Sequence, residues 1–264
     1  MSLIPTEVTP SGPNAQSPRA VTPARSRRLE SATPPRPLPR AVEVPEVIPR
    51  ERNEALSRAL NFTIAAIALI LASPLLILLA IGVKLTSRGP ILYAQTRVGL
   101  DRRWRSTLAL HERRLEDFGG QVFTIYKFRT MRVDAERGSG AVWAKENDPR
   151  VTTLGKYMRI LRLDEIPQFW NVLLGDMNVV GPRPERPSIV SRLREDIPEY
   201  QSRHRVKPGI TGLAQINQQY DACMDDVRSK VGWDMTYIRE QGIWTDLVIL
   251  LRTVPAVLLK YRGW

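Results

Sequence analysis

Residues 159–187 read RILRLDEIPQFWNVLLGDMNVVGPRPERP, the stretch of the chain richest in groups that handle phosphate. The adjacent carboxylates Asp164 and Glu165 open an apolar periodicity, Ile166, Phe169, Trp170 and Leu173, that predicts a helix ended by Gly175. With Asp164 as N-cap and Pro167 in the first turn, both carboxylates lie at the positive end of that helix. Free amides and the dipole there keep a carboxylate ionised and draw phosphate. A carboxylate so placed can hold a divalent cation or attack an electrophile, although capping alone accounts equally for acidic residues at this spot. The cationic setting turns the reading toward chemistry. Arg159 and Arg162 stand just before, and Arg183 and Arg186 just after, in a Gly181-Pro182-Arg183-Pro184 turn. An arginine fork matches phosphate oxygens in pairs, and two prolines hold its backbone still.

Other cations are less specific. Val122 to Met131 alternates as a strand does, which puts Phe123, Ile125, Lys127 and Arg129 on one face. Lys127 and Arg129 would then form a diphosphate clamp, or equally a solvated strand edge. Arg203, His204, Arg205 and Lys207 precede a glycine-containing turn as a further anion-attracting cluster. His204 has no carboxylate at a spacing that would make it a base, and reads as a packed residue.

The elements that position these groups begin with an apolar run. Phe62 to Val83 is uncharged over 22 residues, with Ser73-Pro74 in its middle. A straight helix of that length reaches ~33 Å, enough to cross a hydrocarbon core. Pro74 removes the amide that would bond the Ile70 carbonyl, and the Ser73 hydroxyl can cap the freed group. Arg50, Arg52 and Arg58 precede the run, and Lys84, Arg88, Arg97, Arg102 and Arg103 follow it. Positive charge of the cytoplasmic type on both flanks favours a re-entrant hairpin broken at Ser73 and Pro74, with a proline-kinked span as the competing arrangement.

A net charge of +12 over 264 residues implies anionic partners, and the single Cys223 excludes an intramolecular disulfide framework. Residues 1–50 hold eleven of the 21 prolines and no aromatic residue, so a disordered tail is expected there. A short helix from about Asn53 leads into the apolar run at 51–84. Gly89-Pro90 turns the chain into a strand at Ile91-Leu92-Tyr93, and residues 101–120 form a charged surface insertion. Near the end, Leu247, Leu250, Leu251, Val254 and Leu258 repeat at helical spacing between Trp244 and Trp264. That helix lies either in a membrane interface or in a core.

Five motifs then occur together and in order. Lys127-Phe128-Arg129-Thr130-Met131, Asp148-Pro149-Arg150, Asp164-Glu165-Ile166-Pro167-Gln168, Gly181-Pro182-Arg183-Pro184 and Lys207-Pro208-Gly209-Ile210-Thr211-Gly212 resemble those of the bacterial sugar transferases. These are monotopic polyprenol-phosphate phosphoglycosyl transferases. The resemblance covers roughly residues 53–262, and family members carry a membrane helix broken at a Ser-Pro pair, matching Ser73-Pro74. It implies that Asp164 attacks the β-phosphate of a UDP-sugar, releases UMP and holds the sugar phosphate until polyprenol phosphate takes it. It further implies Mg²⁺ at Asp164, Glu165 as metal-site organiser or base, and phosphate binding by Arg159, Arg183 and Lys127; Arg129 rests on strand geometry alone. Ile166 stands where the family has Leu, a change of apolar shape only.

The expected fold is a mixed, helix-rich α/β domain over residues 85–264, monotopic on the membrane, with a re-entrant helix and interfacial amphipathic helices. It would face the cytoplasm from the bacterial inner membrane and meet UDP-sugar, polyprenol phosphate and anionic lipid. Nucleic acid is not expected, since no aromatic stacking platform accompanies the basic residues. A homodimer is left open. The rival readings are a transferase passing only the sugar and a basic membrane-tethered adaptor.

Overall fold

A computed structural model describes residues 47–105, 117–135, 148–218 and 223–257. Most of the expected tail, the middle of the 101–120 insertion and the end of the C-terminal helix lie outside the described residues. The rest is a helix-rich α/β arrangement containing one long apolar helix.

That helix, α1, spans Glu54–Thr86. Asn53, near which a helix start was expected, caps it by accepting the Leu56 amide at 2.9 Å. Pro74 stands inside it, and the Ser73 hydroxyl donates to the Ile70 carbonyl at 2.8 Å. The acceptor orphaned by the proline is therefore recovered by its neighbour. The helix is long and apolar enough to cross a membrane by length and composition.

Both ends of α1 pack on the same domain. Near its start, Arg58 donates to the carbonyls of Val172 and Leu173, the negative end of another helix. Asn61 is buried, and its side-chain oxygen accepts the Val179 amide at 2.6 Å while its amide donates to the Ser57 carbonyl at 2.8 Å. Ala65 joins a core with Ile125, Val172, Met177 and Val179. Near the other end, Leu79 and Val83 pack with Phe128 and Met158. Between these anchors Ile70, Leu71, Ile77 and Leu78 remain exposed.

Two small sheets carry the polar residues. Strands β1, Leu92–Val98, and β2, Val122–Phe128, pair antiparallel from Leu92 opposite Phe128 to Val98 opposite Val122. β3, Asn178–Val180, runs parallel to β4, Gly209–Thr211. In chain order between β2 and β3 come α2, Thr153–Ile160, and α3, Gln168–Leu174. Asn171 of α3 is fully buried; it donates to the Thr124 carbonyl at 2.6 Å and accepts the Tyr126 amide at 3.2 Å, which fixes α3 to β2. As expected, Gly175 ends α3, with φ 91°.

The largest core lies under α4, Pro187–Asp196, the 3-10 segment Pro198–Arg205, the short α5, Leu213–Asn217, and α6, Met224–Glu240. Val98, Val190, Tyr200, Tyr237, Ile238 and Ile249 are its most buried members. At roughly 1.5 to 3 kcal/mol for each fully buried large apolar side chain, this cluster is the main support of the polar loops above it. The final helix, α7, Ile243–Pro255, buries Ile249 but leaves Trp244, Leu251 and Val254 exposed.

Candidate active site

Asp164 and Glu165 do not stand in the first turn of α3. They belong to a separate 3-10 turn, Leu163–Glu165, and Pro167 occupies the cap position of α3 instead of Asp164. The cause is the backbone of Arg162, which is left-handed at φ 56°, the one non-glycine residue with positive φ among the described residues. That conformation costs about 1 to 3 kcal/mol and persists only where the surroundings enforce it. It turns the chain sharply out of α2, so that Glu165 meets Lys127 of β2 and Arg183 of the Gly181-Pro182-Arg183-Pro184 turn, with Asp164 beside it. The expected burial of Trp170 fails too: it is exposed, while Gln168, Asn171 and Val172 face inward.

Around Glu165 the structure gathers three elements. Lys127 of β2 donates to Oε1 at 3.0 Å, Arg183 reaches Oε1 at 2.6 Å and Oε2 at 3.3 Å, and Arg162 lies 3.8 Å from Oε1. Both carboxylate residues are 8 % exposed. Asp164, by contrast, makes no side-chain hydrogen bond among the described residues. Two neighbouring acids thus have opposite environments. Burial alone would raise Glu165, but the charges of Arg183 and Lys127 overturn it and hold the acid well below the usual carboxylate range. Burial, and then the charge of Glu165, push Asp164 up to about 6, with Lys127, Arg159 and Arg162 acting against the rise. Burial likewise lowers Lys127, although Glu165 partly restores it.

Lys127, Asp164, Glu165 and Arg183 are therefore brought together, and Arg162 joins them. Arg159, in the last turn of α2, acts on Asp164 through its charge. Arg129 goes elsewhere. It lies just beyond the end of β2, is buried, and donates to the backbone carbonyl of Ser87 at 2.8 Å and to its hydroxyl at 2.6 Å, closing the end of α1. The alternation that paired it with Lys127 holds only inside the strand. The cluster at 203–207 is also dispersed: Arg203 points inward to Asp234, Arg205 donates to the Val47 carbonyl, and His204 is buried with its ring edge-on to Tyr200. Burial lowers His204 to about 3, so it is neutral and packed, as expected. Asp148 and Arg150 of the Asp-Pro-Arg motif pair with each other at 2.6 Å.

Beside the carboxylates, an apolar groove of about 580 Å³ is lined by Leu69, Leu76 and Ala80 of α1, Tyr126 and Phe128 of β2, and Pro167 and Trp170 next to the acid pair. The chain's motifs carried no sign of it. Its lining comes from four separate segments of the sequence, and Trp170, placed on a buried face by periodicity, now has a reason to be exposed.

The chain belongs to the bacterial sugar transferase family, which it matches over residues 52–260. It is 40 % identical over 206 residues to the UDP-N-acetylgalactosamine-undecaprenyl-phosphate N-acetylgalactosaminephosphotransferase of Aeromonas hydrophila, covering 78 % of this chain and 44 % of that protein. It is 40 % identical over 204 residues to the UDP-glucose:undecaprenyl-phosphate glucose-1-phosphate transferase of Escherichia coli K12, covering 76 % and 40 %. A protein of the same name from Caulobacter vibrioides is 38 % identical over 213 residues, 80 % of this chain and 73 % of that one. The chain thus spans less than half the length of the first two relatives. One long apolar helix in a membrane-linked family places the chain among membrane-associated proteins.

Proposed function

We propose that this chain transfers a sugar 1-phosphate from a UDP-sugar to a polyprenol phosphate such as undecaprenyl phosphate. The observation that carries this reading is an unbonded, buried Asp164 beside a charge-locked Glu165, with the flanking Leu163 and Pro167 packed at an apolar groove shared with the long helix. In the first step an Asp164 oxygen attacks the β-phosphorus, the bond from that phosphorus to the UMP oxygen breaks, and UMP leaves. An oxygen of the polyprenol phosphate then attacks the same phosphorus, and the bond to Asp164 breaks to restore the carboxylate. Arg183, Arg162 and Lys127 face the phosphates with positive charge, and Arg159 adds to that field. Glu165, held ionised by its cations, suits the task of ordering them better than that of accepting a proton. Asp164 has an unbonded carboxylate in a site where anionic substrates supply further oxygens, the donor set that Mg²⁺ takes. When bound there, Mg²⁺ would offset charge between two anionic substrates.

The groove fits the isoprenoid chain of the acceptor, with its phosphate at Asp164. A re-entrant α1 is supported by the packing of Asn61 and Val83 against one domain, because a straight span would carry its ends to opposite faces of the bilayer. Exposed Ile70, Leu71, Leu78, Trp244 and Leu251 would then face lipid, on the cytoplasmic side of the inner membrane, with Lys84 and Arg88 near anionic headgroups. Relatives of equal identity use different sugars by name, so the sugar is left to experiment. Purified protein given a panel of UDP-sugars and undecaprenyl phosphate should release UMP with one of them and form a lipid-linked diphosphate. Release of UDP with a monophosphate-linked product would replace this reading with direct sugar transfer.

The acid pair also sets a pH dependence. Asp164 must be ionised to attack, and its pKa is raised to about 6, so kcat/KM for the donor should be full above that value and fall, with unit slope, as pH drops through it. Raising Mg²⁺ should move the midpoint lower, because a cation favours the charged carboxylate. A profile flat to pH 5 at low Mg²⁺ would remove Asp164 as the titrating group.

A further inference from the structure

Arg183 is held from behind as well as in front. The segment from Gly181 to Glu185 has neither helix nor strand geometry, so its peptide groups need partners from elsewhere. Four consecutive carbonyls each find one: Pro182 from the Gly209 amide at 2.9 Å, Arg183 from Arg203 Nη2 at 3.0 Å, Pro184 from Arg97 Nη1 at 2.9 Å and Glu185 from the Val98 amide at 2.9 Å. Two of these donors are arginine side chains, an expensive way to satisfy a loop.

Arg203 is the more telling of the two. It is 2 % exposed, so its guanidinium is closed off from solvent. Nε and Nη2 lie 3.0 and 2.8 Å from Oδ2 of Asp234, and Nη1 donates to the Tyr200 hydroxyl at 2.8 Å. Its remaining hydrogen bond among the described residues goes to the Arg183 peptide. Arg97 has its own counter-ion, Glu185, at 3.4 Å, and Lys230 takes the other oxygen of Glu185 at 3.0 Å. Lys230 and Asp234 are four residues apart on α6, hence on one helical face. One face of α6 thus anchors both clamps on the turn.

We propose that Arg203 is a positioning residue for the donor's diphosphate: fixed to Asp234 of α6, it holds the Arg183 peptide so that the Arg183 fork stays aimed at Glu165 and the incoming phosphates. This rests on the reading of Arg183 as a phosphate-binding group. A buried ion pair that served only to join α6 to the loop could end on any carbonyl; this one ends on the peptide of the residue whose side chain meets Glu165 at 2.6 Å.

The test is a double-mutant cycle read by calorimetric titration with UDP in magnesium buffer, where the stoichiometry counts folded sites and Kd reports each site. Arg203→Lys keeps the charge opposite Asp234, but a single ammonium cannot serve Asp234, Tyr200 and the Arg183 carbonyl together. It should weaken UDP on the order of tenfold at unchanged stoichiometry. In an Arg183→Gln background the same change should cost less than about twofold, because the group being aimed is gone. If Arg203→Lys does not fold, Arg203→Met with Asp234→Asn removes the buried pair as a unit and should give the same dependence on Arg183. An equal loss in both backgrounds would show a general structural role and overturn the proposal alone. Arg183→Gln without effect on UDP would overturn the phosphate role of Arg183 and this proposal with it.

Discussion

Asp164→Asn is expected to retain the fold and membrane association and to lose turnover by at least about a thousandfold, since an amide is neither charged nor nucleophilic toward phosphorus. The fold should survive because Asp164 makes no side-chain hydrogen bond among the described residues, and its charge is held at the expense of a raised pKa. Glu165→Gln should behave differently. It leaves Lys127, Arg183 and Arg162 facing one another without their counter-ion, and should cost stability on the order of 3 kcal/mol as well as activity. Thermal unfolding of the two variants separates these effects. The covalent step has its own signature: with UDP-sugar labelled in the β-phosphate and no acceptor, wild-type protein should release UMP and keep a hydroxylamine-labile label on the peptide containing Asp164. Ping-pong kinetics should accompany it. Sequential kinetics with an unlabelled protein would end the case for an aspartyl intermediate.

Both ends of α1 are expected on the cytoplasmic side. Cysteines at position 45 and at position 102, an exposed site after the helix, should react with a membrane-impermeant maleimide only after the inner membrane is opened, and reaction of either in intact spheroplasts would indicate a span. Replacing Ser73 and Pro74 together with Leu restores the missing amide at position 74 and removes the side chain that occupies the Ile70 carbonyl. A straight, uninterrupted helix should then form and carry position 45 across the bilayer, making it reactive in intact spheroplasts. Opposing this are the Arg58 and Asn61 bonds to α3 and β3. If position 45 stays protected, those bonds, and not the Ser-Pro break, set the topology.

Much of this was legible from residue types with local consequences. A proline orphans one particular carbonyl, a serine beside it can answer, an asparagine caps a helix and a glycine ends one; Ser73, Pro74, Asn53 and Gly175 all do so. The grouping of Lys127, Glu165 and Arg183 was also within reach, because each lay in a motif dense in charge. What stayed hidden depended on backbone states or pairings without a residue signature. Nothing about an arginine marks Arg162 as left-handed, yet that one dihedral moves Asp164 from a helix cap to a separate turn. Arg129 left its expected partner because β2 ends one residue earlier. β3 and β4 are three residues each, too short to show a period of two. Asp234 lies in none of the motifs, and only the fold shows that it is buried against Arg203.

Asn61 has a consequence beyond holding two elements together. A polar side chain whose oxygen must meet one particular amide, that of Val179, permits α1 a single azimuth and a single longitudinal register. An apolar helix without such a pin can roll and bob within lipid at little cost. In the proposed re-entrant arrangement the turn that carries Asp164 would ride at a set draught, its vertical distance from the surrounding bilayer fixed by the protein, and the lipid would have to adapt its thickness to it.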